Sequence, residues 1–283
     1  MKLIKSLLIF FLACSCTKIL NDYEVKTNGP EIIIEGVIID SLTSHYVKIT
    51  KSGTFENTTA TSQIVENAFV TIEEEGGKTD TLKYTERGIY KSAKWAGTPG
   101  KTYYLKAVVE GKMFTAADKM PINFGFSVDS FYSKFAEFAP RFNNYGQFNF
   151  SDKRYIFTND SVFKVFLNGR FENTENGFYR GEMFRNSYIY RNPKILLLFN
   201  TQYFSGKISD IEIPAGFIRN DTVSFHIYTI SPVSYRFYQS FRQLINYEGG
   251  IFSPPPGNPV SNISGGFGLF EASRIKKYYI IVK

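Results

Sequence analysis

From Ile32 onward the chain is broken into short runs of β-branched and aromatic residues, each closed by Gly, Pro, Asn or Asp. Such runs fit the two-residue repeat of a strand and leave few windows long enough for a helix. Ile32 to Ile39 ends in Asp40, and Tyr46-Val47-Lys48-Ile49-Thr50-Lys51 alternates apolar with polar side chains, as a half-buried strand does. Ala68-Phe69-Val70-Thr71-Ile72-Glu73 leads through Gly76-Gly77, a hairpin signal, into residues 78–85. Another strand starts at Gly88-Ile89-Tyr90, and residues 103–115 read as two strands around Glu110-Gly111. About seven short strands at this spacing predict an immunoglobulin-like or transthyretin-like β-sandwich over residues 31–121. Glu73, Glu74 and Glu75 fall at a hairpin end. Neighbouring strand residues point to opposite faces, so the three acids read as a solvated turn rather than a metal cluster.

Residues 122–283 predict a second, larger and aromatic-rich β domain, with the boundary between Pro121 and Asp129. Between Phe124 and Phe204 the chain carries 23 aromatic residues, which must either fill a core or form a contact surface. Core strands account for most of them; Tyr179, Tyr188 and Tyr190 are the candidates for ligand or partner contact. Turn signals stand at Asn143-Asn144, Asn168-Gly169, Asn176-Gly177 and Asn192-Pro193. Residues 172–177 have neither the Asp positions nor the closing Glu of a calcium loop, so they also read as a turn. Strands resume at 195–199, 207–213 and 222–230. A single amphipathic helix is predicted over 232–247, capped by Ser231 with Pro232 at its first position. Val233, Phe237, Phe241, Leu244 and Ile245 form its apolar stripe, and Gly249-Gly250 stops it. A stiff Pro-rich loop spans 252–260, in which Phe252, Pro254, Pro255 and Pro256 are further candidates for partner contact. The glycine-rich run 265–270 then precedes a last strand at 278–282. The fold class is thus mostly β, a sandwich followed by a larger β domain with one helix near the C-terminus.

The first sixteen residues say where such a protein works. Lys2 and Lys5 precede the apolar run Leu7 to Ala13, and small residues and cysteine close it, the layout of a secretory signal. The run is far shorter than the ~20 apolar residues that span a bilayer. Ser15-Cys16 resembles the lipobox of bacterial lipoproteins, which implies a signal peptide over 1–15 and acylation of Cys16. Cys14, preceded by Ala13, is the alternative site. Residues 16–30 are polar and end in Gly29-Pro30, a flexible tether between lipid and fold. No cysteine follows Cys16, so a chain cleaved there has no disulfide and depends on its core.

The formal charge of +7 falls to +5 once Lys2 and Lys5 are removed. The excess is spread over strand-like segments beyond Phe126 and forms no single basic stripe, which argues against a nucleic-acid partner. Phosphate-binding loops, dinucleotide fingerprints and the G-x-S-x-G elbow are missing from the sequence. His45 and His226 are its only histidines, and neither belongs to a zinc motif. The sequence therefore predicts a protein that is not an enzyme, with no cofactor and no metal. A hydrolase with carboxylates paired across strands is a rival reading, since such pairing leaves no trace in sequence.

Residues 252–273 carry Phe252-Ser253-Pro254-Pro255-Pro256-Gly257-Asn258-Pro259, then Asn262-Ile263-Ser264-Gly265 and Gly268-Leu269-Phe270-Glu271-Ala272-Ser273. After the predicted helix, this run resembles the C-terminal signature of domain-of-unknown-function family 4249. Ile33-Ile34-Glu35-Gly36 and Ala68 to Ile72 fit the same family. The resemblance implies an outer-membrane lipoprotein of Bacteroidota, commonly encoded beside a TonB-dependent transporter, and brings no catalytic residues with it. The expectation is a lipid-anchored, surface-exposed outer-membrane protein that partners a TonB-dependent barrel. The alternative is an adhesive or carbohydrate-binding surface module using exposed aromatics.

Overall fold

The computed structural model describes residues 31–53, 63–135, 163–171, 177–185, 188–189, 197–201, 206–213, 217, 219–247 and 257–283. The predicted signal peptide, Cys14, Cys16, the tether to residue 30, Tyr190, Phe252 and Pro254 to Pro256 lie outside these residues.

The described chain starts with β1 (Ile32–Ile39), β2 (Thr43–Lys51), β3 (Gln63–Ile64) and β4 (Ala68–Glu74). Next come β5 (Thr79–Glu86), β6 (Ile89–Trp95), β7 (Thr102–Val109) and β8 (Lys112–Lys119). Beyond these lie β9 (Phe126–Phe135), β10 (Phe163–Phe171), β11 (Phe178–Arg185), β12 (Tyr188–Ile189), β13 (Leu197–Asn200) and β14 (Lys207–Glu212). The chain ends with β15 (Thr222–Ile230), helix α1 (Pro232–Ile245) and β16 (Phe267–Ile281). The protein is mostly β, as its short alternating runs require. One long sheet runs in the order β12-β11-β15-β16-β1-β2-β6-β5-β4-β7-β8, and a second sheet is β14-β10-β9.

The long sheet folds over to make the first sandwich. On β7, Tyr103, Leu105, Ala107 and Val109 point inward while Tyr104 and Lys106 point out, the two-residue period of a half-buried strand. They meet Ile34, Ile38, Val47 and Ile49 of β1 and β2 in one buried cluster. The second sandwich sets β11, β15 and the end of β16 against β9, β10 and β14. Its core contains Val165, Leu167, Val223, Phe225 and Ile227, with Phe131 stacked on Phe225 at 5.0 Å.

β16 joins the two. Its first half pairs with β1 in parallel, from Ile33↔Phe267 to Ile39↔Ser273; its second half pairs with β15, from Thr229↔Arg274 to Thr222↔Ile281. The sequence predicts a glycine-rich stretch followed by a short strand at 278–282, whereas the structure has one strand of 15 residues. The reason is burial on both faces: Leu269 to Ser273 are all buried, so the segment lacks the alternation that marks a strand. Gly268, at φ +117, passes so close to β1 that a Cβ would lie 2.0 Å from the Ile34 carbonyl oxygen. Gly36 leaves room for the Phe270 ring, which would sit 2.9 Å from any Cβ there. Ile263, Phe270 and Ala272 therefore pack in the first core, although their sequence position groups them with residues 122–283. Two strands from opposite ends of the chain close one structure.

Helix α1 starts where its sequence says. Ser231 caps it, accepting a hydrogen bond from the Ser234 amide at 3.1 Å, and Pro232 opens it. The face it buries differs from the predicted stripe. Val233, Phe237, Phe241 and Ile245 are only half-buried and Leu244 is 39 % exposed, while Ser234 and Tyr235 are buried. The helix turns its hydroxyl-bearing side inward because buried charges wait beneath it.

Candidate functional site

Those charges lie on the β11-β15-β16 part of the long sheet, on the face that points away from the second sandwich core. Successive residues of a strand face opposite sides, so Tyr179 and Met183 of β11 enter the core while Phe178, Arg180, Glu182 and Phe184 project from the other face. Strand pairing sets these residues in rows. Arg180, Tyr228 and Ile275 are register partners, then Glu182, His226 and Lys277, then Phe184, Ser224 and Tyr279.

The first row is roofed by α1. Arg180 is 3 % exposed, and its Nη2 donates to Glu271 Oε1 at 2.8 Å, with Glu271 itself fully buried. Nη1 donates to Glu182, and the guanidinium lies 3.9 Å from the Tyr228 ring centroid and 5.0 Å from that of Tyr238 on α1. Burial alone would make Arg180 easier to deprotonate; Glu271 first, with Tyr238 and Glu182, more than reverses that and keeps it charged. Burial likewise holds the Tyr228 and Tyr238 phenols protonated. Beside this pair, Asp118 Oδ2 accepts from Ser234 Oγ at 3.2 Å and from the Ala272 amide at 2.8 Å. Burial pushes the Asp118 carboxyl up to about 7. Arg180 Nε and Ser273 Oγ have no hydrogen-bond partner among the described residues. A buried ion pair with unmet donors adds little stability over an apolar pair of similar size; what it fixes is the seating of α1 on the sheet.

The other two rows are half-buried on β11 and β15 and exposed on β16. Among the described residues, Tyr279 is 68 % and Ile281 57 % exposed, with Lys277 exposed beside them. The His226 ring packs against Phe184 at 4.1 Å between centroids, and its Nε2 lies 3.5 Å from Ser224 Oγ. Serine, histidine and glutamate thus come together on one sheet face, an arrangement with the composition of a hydrolytic triad. Its geometry does not serve that chemistry. The Glu182 carboxylate is held by Arg180 and the Tyr228 hydroxyl, so it does not orient the imidazole. Burial first, then the Lys277 cation, lower the His226 pKa to about 4, which makes it a weak base. The backbone of β15 around His226 is engaged in ladders with β11 and β16. The strip carries aromatic rings at one level and a held carboxylate and a lysine at the next.

The predicted contact residues fare differently. Tyr179 is 2 % exposed, packed on Phe126 and Phe171, and fills the core instead of meeting a ligand. Tyr188 opens β12 at the edge of the long sheet. Arg180 and Glu271 went unrecognised in the sequence, although each is a charge set between apolar neighbours in a strand. Among the described residues, no group of three or more His, Cys, Asp or Glu could hold a metal ion. No helix among them is long and apolar enough to cross a membrane.

Comparison with solved structures gives only distant likeness. A two-domain fibronectin type-III segment of chicken tenascin aligns at 9 % identity over 89 % of this chain and 99 % of its own, with a TM-score of 0.21. A DUF4785 family protein from Legionella pneumophila aligns at 10 % identity over 71 % of this chain and 51 % of its own, with a TM-score of 0.23. No curated protein matches. The description "Domain of unknown function (DUF4249)" does match, from residue 21 to residue 278, and on that span the chain belongs to the DUF4249 family.

Proposed function

We propose that this protein is a non-enzymatic, lipid-anchored protein of the outer membrane that partners a TonB-dependent barrel and contacts it, or its substrate, through the strip on β11, β15 and β16. The observation that carries this reading is the strip itself: Phe184, His226 and Tyr279 beside Glu182 and Lys277, with Tyr279 and Lys277 exposed. An exposed aromatic beside an exposed cation suits a protein partner, whose interfaces are built around such anchors. The lipobox-like Ser15-Cys16 supplies the anchor.

Purification of the native lipoprotein from detergent-solubilised membranes is expected to recover a large β-barrel. A Tyr279→Ala, Lys277→Glu variant, which leaves the core untouched, is expected to lose it. Repeated recovery of the lipoprotein alone overturns the partnership. The aromatic row also favours a second reading, sugar rings stacked on Tyr279 and Phe184. Glycan-array binding by the wild type that disappears in the Tyr279→Ala variant, with no barrel recovered, selects that reading.

A further inference from the structure

A second apolar surface lies on the first sandwich, far from that strip in sequence. Phe69 of β4, Val108 of β7 and Met113 of β8 are register partners, so their side chains stand in one line across the outer face of the sheet. Phe69 is 55 % and Met113 61 % exposed, and Ile64 in β3, at the same end of the sandwich, is 48 % exposed. Lys106, in the next row of the same face, is an exposed cation.

The position of this row relative to the chain's entry point gives it meaning. Ile32, the first residue of β1, is the register partner of Lys51, and Lys51 Nζ reaches Glu110 Oε1 at 2.6 Å. Glu110 forms the turn between β7 and β8, next to Val108 and Met113. The Glu31 amide is tied to Ser52 Oγ at 2.9 Å, which fixes the entry point at that same edge. Residues 17–30 span at most about 50 Å when fully extended and about 20 Å as an average coil. An acyl group on Cys16 therefore holds this end of the sandwich beside the bilayer at high effective concentration.

We propose that Phe69, Val108 and Met113 form a membrane-contact surface that rests in the headgroup region of the bilayer carrying the lipid anchor, a proposal that depends on the anchor reading above. An exposed aromatic and a thioether beside a lysine match what that region accepts: apolar side chains dip below the headgroups while the ammonium group stays at phosphate level. Contact of this kind converts a single tethering point into a fixed orientation, leaving the strip on β11, β15 and β16 to be presented in one direction.

The test uses the full lipidated protein with Met113→Cys, labelled with an environment-sensitive fluorophore and bound to vesicles of phosphatidylethanolamine and phosphatidylglycerol. Leu42→Cys, in the β1–β2 turn at the opposite end and 76 % exposed, is the control site. At position 113 the emission is expected to shift to the blue and to be quenched at least twofold by lipid-borne nitroxide; at position 42 neither is expected. Vesicle-bound protein with an unshifted, unquenched label at 113 overturns the proposal and leaves the anchor standing. A shift that follows protein concentration and needs no lipid overturns it in favour of self-association. Failure of the unlabelled lipoprotein to float with vesicles removes the anchor, and the proposal with it.

Discussion

Arg180 and Glu271 share a buried hydrogen bond of 2.8 Å although β15 lies between their strands. The guanidinium crosses the Tyr228 ring to reach its partner, and α1 closes over both. Removing one member leaves a desolvated charge with less compensation, which costs about 3–5 kcal/mol in comparable buried pairs. Glu182 stays beside Arg180, so Glu271→Gln is expected near the lower end, about 3 kcal/mol by urea denaturation. The double variant Arg180→Met, Glu271→Leu removes both charges and is expected to recover most of that loss. Equal losses in the single and double variants would mean that the pair itself stabilises the fold.

Asp118 makes the seat of α1 sensitive to pH. Its carboxyl is pushed from 3.8 up to about 7, chiefly by burial, with the Glu271 charge adding to it against the hydrogen bonds it accepts. Between those values the folded chain keeps a proton that the unfolded chain has released. Stability from this group is complete below about 4, declines as pH rises toward 7, and is level above that, an upper bound of about 4 kcal/mol. Asp118→Asn keeps an acceptor for the Ala272 amide and cannot ionise. The stability difference between variant and wild type is therefore expected to shift in the variant's favour as pH rises from 5 to 8. A difference that is constant across that range shows that Asp118 titrates normally.

The inward face of α1 sets a contrast between two aromatic residues. Tyr235 is buried and packs on Phe178 at 4.8 Å, whereas Phe241 is half-buried and stacks on Phe237 of the same helix at 5.9 Å. The sequence stripe predicts that Phe241→Asp damages folding. The structure reverses the order: Tyr235→Ala is expected to cost about 3 kcal/mol, as truncation of a buried aromatic does. Phe241→Asp is expected to cost less than half as much. Thermal melts of the two variants, run side by side, decide between the stripe and the hydroxyl face.

Why some of this was legible in sequence and some was not follows from periodicity. β15 alternates from Thr222 to Ile227, with Thr222, Ser224 and His226 on one face, and its β-branched and aromatic run continues to Ile230, so the sequence predicts it at its observed bounds. The cap at Ser231 and Pro232 acts through neighbours along the chain, which makes it visible too. β16 is buried on both faces at its centre and pairs with β1 from the far end of the chain, and neither property leaves a period to read. Tyr179 and Arg180 show the limit at the site. A shift of one residue exchanges the faces of a strand, so the aromatic residue that looks like a contact fills the core, and the arginine beside it organises the site. The amphipathic stripe on α1 misleads for a related reason: hydrophobicity cannot register that the Ser234 hydroxyl is needed to meet the buried Asp118 carboxyl.

The titration of His45 can be followed through the tryptophan beside it. Its ring is 2 % exposed and stands edge-on to Trp95 at 4.1 Å between centroids. Nε2 donates to the Trp95 carbonyl at 3.0 Å, and Nδ1 accepts from the Ile39 amide at 3.4 Å, so the neutral ring is satisfied on both sides. Burial lowers its pKa from 6.5 to about 4 against the opposing effects of the Trp95 carbonyl and Asp80. Protonation adds a second N–H where the Ile39 amide already donates. Stability from this group is complete above 6.5 and is lost as pH falls toward 4, opposite in sign to the contribution of Asp118. Trp95 is the only tryptophan in the chain, and because its indole N–H also donates to Asp80 Oδ2 at 3.0 Å, a variant at His45 is needed to assign a change in its fluorescence to this ring. The emission of the folded protein is expected to change with a midpoint near pH 4, and His45→Phe is expected to abolish that step while keeping the aromatic contact. A midpoint near 6.5 would place the imidazole in contact with solvent and contradict its burial between β1 and β6.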